Sequence, residues 1–295
     1  MSIKRDIPVI TTVAEMHAWV ANQRSLGHTI GCIPTMGYLH DGHASLIREA
    51  SARHQSVVIS IFVNPTQFGP SEDFERYPRD LDRDLSVVAE ADGSIVFAPT
   101  VDEMYPNGPQ STIHVDGVTE MLEGALRPTH FDGVATVVSL LFEAMLPDEA
   151  FFGQKDLQQT LVIRRMVESS PIAAVRRVKI TIMPTQREAD GLARSSRNVY
   201  LTKEERALAP AIHQALIAAV NAITSGERSR EVLEALMLRK LQTVDRFTID
   251  YAVAVDAQTL LPKETYDQDD TVALCIAARI GRTRLIDNEL IGVTG

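Results

Sequence analysis

Cysteine is nearly absent. Cys32 and Cys275 are the two in 295 residues, far apart and outside any CxxC pattern. That excludes a disulfide framework and a zinc knuckle, and it points to a reducing, cytoplasmic setting. Positive charge is in deficit as well. A formal net charge of −10 at pH 7 argues against a nucleic-acid binder, which needs a cationic face to displace counterions. A local basic pocket is still compatible with it. Long apolar runs are missing too. The longest, around 134–146, is interrupted by Ser139 and Glu143, so it is too short and too polar to span a bilayer. No membrane partner is expected. The charged N-terminal residues have no apolar segment behind them, so no signal peptide is expected either. The chain has no internal repeat, no GxxxxGK[ST] and no GxGxxG, which removes the usual support for kinase-type and dinucleotide-type sites.

What is there has the composition of a globular chain, 45% hydrophobic and 23% charged, and its length suits two domains with a sizeable core. The first part alternates strand-like and helix-like stretches. Residues 28–34 form a short run rich in β-branched side chains, and 57–63 (VVISIFV) an almost unbroken apolar run. Such a run suits a strand buried on both faces. Strand-like 94–97, 150–152 and 178–183 alternate with helix-like 43–54, 79–91, 131–146 and 156–168. Strands separated by helices imply parallel pairing and right-handed crossovers, a doubly wound α/β domain over 1–184. Two helical stretches, 203–223 (disturbed by Pro210) and 230–242, then precede three strand-like runs, 248–255, 271–278 and 282–286. They suggest a smaller α+β domain over 185–295.

The strongest local signal is Pro34-Thr35-Met36-Gly37-Tyr38-Leu39-His40-Asp41-Gly42-His43. It lies where the first strand of the alternating series should turn into a helix, the place where open α/β sheets bind ligands. His40 and His43, three apart at a helix start, would meet phosphate oxygens together with helix dipole and amide donors. Gly42 lets a nucleotide approach the backbone. Two blander readings compete: half of a zinc site, for which no third ligand stands at sensible spacing, and plain helix capping.

This segment closely resembles the HxGH signature of the nucleotidyltransferase superfamily, in the form found in the pantothenate synthetase family. Further motifs carry the same resemblance in order: SIFVNPTQFG at 60–69, DFERYP at 73–78, RPTHFDG at 127–133, FFGQKDLQQ at 151–159 and DGLARSSRNVYL at 190–201. It extends over about 8–290. It implies a Rossmann-like domain followed by a small C-terminal domain that closes over the site. The implied reaction joins pantoate and β-alanine with ATP and Mg²⁺, through an acyl-adenylate, in a homodimer.

Residue readings agree with that resemblance. Asn64 and Gln67 can orient a hydroxy-acid without adding charge, and the family places the Gln67 position at pantoate. Gly153, Gln154, Lys155 and Asp156 offer amide donors, a cation and a ribose acceptor after a strand; Gln159 is one turn further on and is implied to touch pantoate. Ser195, Ser196 and Arg197 lie in a loop that can close over the triphosphate, with Gln186 implied nearby. Arg194 stands where the family is apolar; solvent and a phosphate contact both stay open for it. Asp84 reads either as part of a solvated acidic helix face or, by resemblance, as a Mg²⁺ ligand. Arg127 is implied to complete the substrate site. His40, His43, Lys155 and Arg197 are the catalytic candidates, acting by charge and positioning, since no nucleophile motif is present. Competing readings are a plain HxGH nucleotidyltransferase, a tRNA-synthetase fragment and a non-catalytic nucleotide binder.

Overall fold

The computed structural model describes residues 6–70 and 72–293, and they form two compact units. The first is residues 6–153 with 158–184; the second is 154–157 with 185–293.

Six parallel strands run through the first unit: β1 (Val9–Ile10), β2 (Ile30–Thr35), β3 (Ser56–Ile61), β4 (Ile95–Phe97), β5 (Glu149–Gly153) and β6 (Lys179–Met183), in the order β1-β4-β3-β2-β5-β6. The helices are α1 (Val13–Ser25), α2 (Asp41–Arg53), α3 (Leu81–Glu90), α4 (Val101–Met104), α5 (Glu123–Leu126), α6 (His130–Met145), α7 (Leu157–Ser169) and α8 (Ala173–Arg176). This is the expected Rossmann-like arrangement. Side chains alternate between two cores: Ile30, Cys32 and Val58 pack with α6 and α7 on one face, while Ile33, Val57 and Ile59 pack with α2 and α3 on the other. Burial on both faces is why VVISIFV shows no polar alternation. The strand ends at Ile61, because Pro65 opens a 3-10 turn, 65–67, capped by the Asn64 side chain.

The second unit holds α9 (Lys203–Leu208), α10 (Ala211–Thr224) and α11 (Arg230–Leu241), then the antiparallel strands β7 (Phe247–Asp256), β8 (Thr271–Ile280) and β9 (Thr283–Gly292) in that spatial order. Pro210 divides the expected single helix 203–223 into α9 and α10, since proline lacks the amide an interior turn needs. The 203–224 segment is apolar and long enough to cross a membrane by composition alone. Its residues Ala211, Ile212, Ala215, Leu216, Ala219 and Ile223 are buried, and all but Ala211 join the core over β8. Strand β9 runs six residues past the apolar stretch that marked it, through buried Asp287 and Asn288.

Candidate active site

From β2 the chain winds outward through β3 and β4 on one side, and later returns to β5 and β6 on the other. The strand order therefore reverses beside β2, and a crevice outside the carboxyl ends of the strands belongs there. Pro34 and Thr35 end β2, Asn64 follows β3, and Gly153 ends β5. Every candidate of the first unit except Asp84, Arg127 and Gln159 thus follows from one topological fact.

His40 is the N-cap of α2 and His43 its third residue, and the pair makes a capping box from imidazoles. Gly42 N–H donates to His40 Nδ1 at 3.1 Å, and His40 N–H donates to His43 Nδ1 at 3.3 Å. The rings lie 4.1 Å apart at 38°. Because each Nδ1 accepts a hydrogen bond, the neutral ring carries its proton on Nε2. Both imidazoles are therefore set as Nε2–H donors. One detail departs from expectation: the Gly42 amide serves His40, so the imidazoles take the place of an amide donor rather than adding to it.

The turn before α2 is held from α3. Tyr38 N–H donates to Asp84 Oδ2 at 2.8 Å and Leu39 N–H to Oδ1 at 2.6 Å. Asp84 is 1% exposed, so it lies on no solvated face, and each of its oxygens accepts a backbone amide of the turn. Burial pushes its carboxyl above the usual range, against the pull of the two amides. Thr35 Oγ1 donates to Ser60 O at 2.6 Å and accepts from Gly37 N–H at 3.1 Å. Leu39 is fully buried in the core.

The carboxamides that follow β3 meet the loop that follows β2. Gln67 Nε2 lies 3.2 Å from Met36 Sδ, and Asn64 Nδ2 donates to Gln67 Oε1 at 3.2 Å. Asn64 is itself a structural hub. It is 1% exposed, donates also to Gly133 O at 3.2 Å, and accepts from Tyr105 Oη at 2.7 Å and Thr66 Oγ1 at 3.1 Å. The Asn64 carboxamide thus ties Gln67, Thr66, Tyr105 and Gly133 together. Gly133 makes this possible: a Cβ there would stand 2.4 Å from Thr66 O.

Arg127 is likewise engaged. It clamps Glu72 through Nε at 2.6 Å and Nη2 at 2.7 Å, and donates from Nη1 to His130 Nε2 at 3.0 Å. His130 Nδ1–H donates to Gln67 O at 2.8 Å. Burial, then the neighbouring Arg127 charge, lowers the His130 pKa to about 4. The guanidinium thus braces the backbone of Gln67, directly at 3.4 Å and through His130. Glu72 was not singled out from the sequence, and His130, in the RPTHFDG motif, had only a structural reading, which its contacts fit. Gln159 is half-buried in the first turn of α7, while its neighbour Gln158 donates to Val118 O and Met121 O, both at 2.7 Å.

Gln154, Lys155, Asp156, Gln186, Arg194, Ser195, Ser196 and Arg197 belong to the second unit. Asn288, 3% exposed on β9, donates to Gln154 O at 3.1 Å and Lys155 O at 2.8 Å. It fixes the backbone from which Lys155 projects, and it was missed because its partners are far away in sequence. Arg194 N–H donates to Gln186 O at 2.9 Å, and Arg206 joins the start of this hairpin by pairing with Glu188 at 2.7 Å and Asp190 at 2.6 Å. Ser195 caps the next turn by accepting from Arg197 N–H at 3.3 Å.

Comparison with known proteins identifies the family and matches the fold. The family model described as pantoate-beta-alanine ligase matches residues 8–290. The chain belongs to the pantoate–β-alanine ligase family. The curated pantothenate synthetase of Moorella thermoacetica is 49% identical over 285 residues, 97% of this chain and 99% of that protein. The crystal structure of the Thermus thermophilus pantothenate synthetase is 42% identical, with TM-score 0.89, covering 98% of this chain and all of that one. The Francisella tularensis ligase, solved as a complex with beta-gamma ATP and β-alanine, is 31% identical with TM-score 0.72, covering 96% and 97%. The chain is thus a ligase of this family, whose reaction is the ATP-dependent condensation of pantoate with β-alanine.

Proposed function

We propose that the condensation runs through pantoyl-adenylate formed at the head of α2. The pantoate carboxylate attacks the α-phosphate of ATP, pyrophosphate leaves, and the amine of β-alanine then displaces AMP from the activated carbonyl. A carboxylate is a poor acyl donor because oxide is a prohibitive leaving group, and adenylation removes that barrier. The observation that carries the reading is the pair of imidazoles set as Nε2–H donors by the α2 capping box. They are placed for oxygens that gain charge in the first step, where preorganised donors contribute most.

The other candidates take roles consistent with their chemistry. Gln67 and Gln159 orient pantoate, with Asn64 and Arg127 bracing Gln67. Residues 34–43, Gly153, Gln154 and Asp156, with Gln186, Arg194, Ser195 and Ser196, bind the nucleotide. Lys155 and Arg197 supply cationic charge for its phosphates. Mg²⁺ accompanies ATP in the family reading, but the residues present do not make a ligand set for it. Asp84 is buried with both oxygens on amides, and among the described residues no three His, Cys, Asp or Glu are grouped to hold a metal. No step is therefore assigned to a protein-bound metal. A cytoplasmic homodimer completes the reading.

The test is AMP and pyrophosphate release from Mg²⁺-ATP and D-pantoate, with and without β-alanine. Pyrophosphate exchange supported by pantoate alone, with AMP release requiring both substrates, is the expected pattern. His43→Ala should cut the exchange about 100-fold while sparing attack of β-alanine on preformed adenylate. Equal losses in both half-reactions would overturn the assignment of the histidines to the first step.

A further inference from the structure

Helix α3 holds the backbone of the active-site turn through Asp84. Asp84 sits in its first turn, 1% exposed, and both carboxylate oxygens accept consecutive backbone N–H groups, those of Tyr38 and Leu39. Gly37 and Tyr38 both have left-handed backbones, with φ of 84° and 50°. A side chain as large as tyrosine holds that conformation only where its surroundings over-determine it. Here the surroundings are Asp84 beneath and the Arg83 guanidinium 4.5 Å above the Tyr38 ring. The turn is crowded around the carboxylate: a Cβ on Gly37 would stand 3.0 Å from Asp84 Oδ2 and 2.9 Å from Ile61 Cγ2.

Successive amides in such a turn form a concavity that attracts an anion. In phosphate loops a ligand fills it; in this chain the protein's own carboxylate does. We infer that Asp84 is a positioning residue: the internal anion that closes this amide nest and thereby fixes where His40 and His43 present their Nε2–H donors. Only Leu39, fully buried, separates the second anchored amide from the N-cap imidazole. With the nest filled from within, the two amides are withdrawn from phosphate recognition and the imidazoles of the next turn supply the donors. The same arrangement gives a physical reason for the missing glycine-rich phosphate loop.

The inference rests on the proposed role of the histidines, and its test separates the two. In Asp84→Asn an amide nitrogen faces one of the two backbone N–H groups, a donor against a donor. Pantoate-dependent pyrophosphate exchange at saturating Mg²⁺-ATP should fall about 100-fold, the effect of a misplacement near 1 Å. The Mg²⁺ concentration giving half-maximal rate should be unchanged, and the amide resonances of Tyr38 and Leu39 should move upfield. Gly37→Ala keeps the carboxylate but strains the turn, and should lower exchange about tenfold with Mg²⁺ dependence again unchanged. It carries the test if Asp84→Asn does not fold. Wild-type exchange in either folded variant overturns the inference, and so does a loss that excess Mg²⁺ restores, the mark of a metal ligand. Should His43→Ala leave exchange intact, the histidine assignment fails by itself, and the amide shifts and rate of Asp84→Asn still decide the role of Asp84.

Discussion

His130 ties the stability of the first unit to pH in a way that can be worked from its contacts. Its ring is held neutral: Nδ1–H donates to Gln67 O, and the Nε2 lone pair accepts from Arg127. A proton on Nε2 would face a guanidinium across 3.0 Å. Burial and that charge bring its pKa from the ordinary 6.5 to about 4, with Glu72 and Glu123 pulling weakly the other way. The unfolded chain therefore binds a proton that the folded chain refuses between about pH 6.5 and pH 4. Stability from this group is complete above pH 6.5 and is lost as pH falls toward 4. At 1.36 kcal/mol per pKa unit, a shift of roughly 2.5 units amounts to about 3 kcal/mol. Urea unfolding of wild type and His130→Asn at pH 7.0, 5.5 and 4.5 measures it. The wild type should lose about 2 kcal/mol more than the variant between pH 7.0 and 4.5, the remainder falling below that range. Parallel losses in the two proteins, or an imidazole resonance of His130 titrating near 6.5, would refute the account. Glu72, held below the usual carboxylate range by Arg127 against the effect of its burial, adds a further loss that begins at lower pH and is shared by both proteins.

Two other outcomes follow from packing. Gly133→Ala places a methyl group against the Thr66 carbonyl, and denaturation should show a loss of about 3 kcal/mol, together with a raised KM for pantoate because Gln67 moves. Asn288→Ala leaves the Gln154 and Lys155 carbonyls without their donor. It should cost about 2 kcal/mol in denaturation and raise KM for ATP about tenfold, whereas an unchanged KM would remove Lys155 from the nucleotide contacts.

The parts of this molecule legible in its sequence are those governed by local rules. The run at 57–63 reads as a buried strand because burial on both faces removes polar alternation. The break at Pro210 was visible because proline acts where it stands. Helix α1 was not anticipated: its apolar residues do not form a single stripe, and α6, 126 residues away at the His17–Glu143 contact, provides what it packs on. Strand β9 was read as too short because Asp287 and Asn288 look like surface residues. They are buried because Arg187 and the 154–155 backbone pair with them. The site shows the same division. The position of PTMGYLHDGH at a strand end followed from sequence, whereas the internal partners of Asn64, Asp84 and Arg127 did not. Their partners Tyr105, Leu39 and His130 are specified by the fold, and a residue type does not reveal whether its hydrogen bonds are already used.

The imidazole capping box gives two jobs to one set of atoms. At most helix starts the cap is a serine, threonine or aspartate with no duty beyond satisfying orphan amides. Here the lone pairs that end the helix are the ones that decide where the protons sit for chemistry. Sequence drift at position 40 is therefore constrained twice over. A replacement such as aspartate preserves the helix start but forfeits the donor, and one that keeps a donor without an acceptor at the same distance loosens the helix that aims it. Few side chains meet both demands, so the signature can persist for folding reasons even in a descendant that has lost the reaction. In such a chain the motif would mark ancestry rather than turnover.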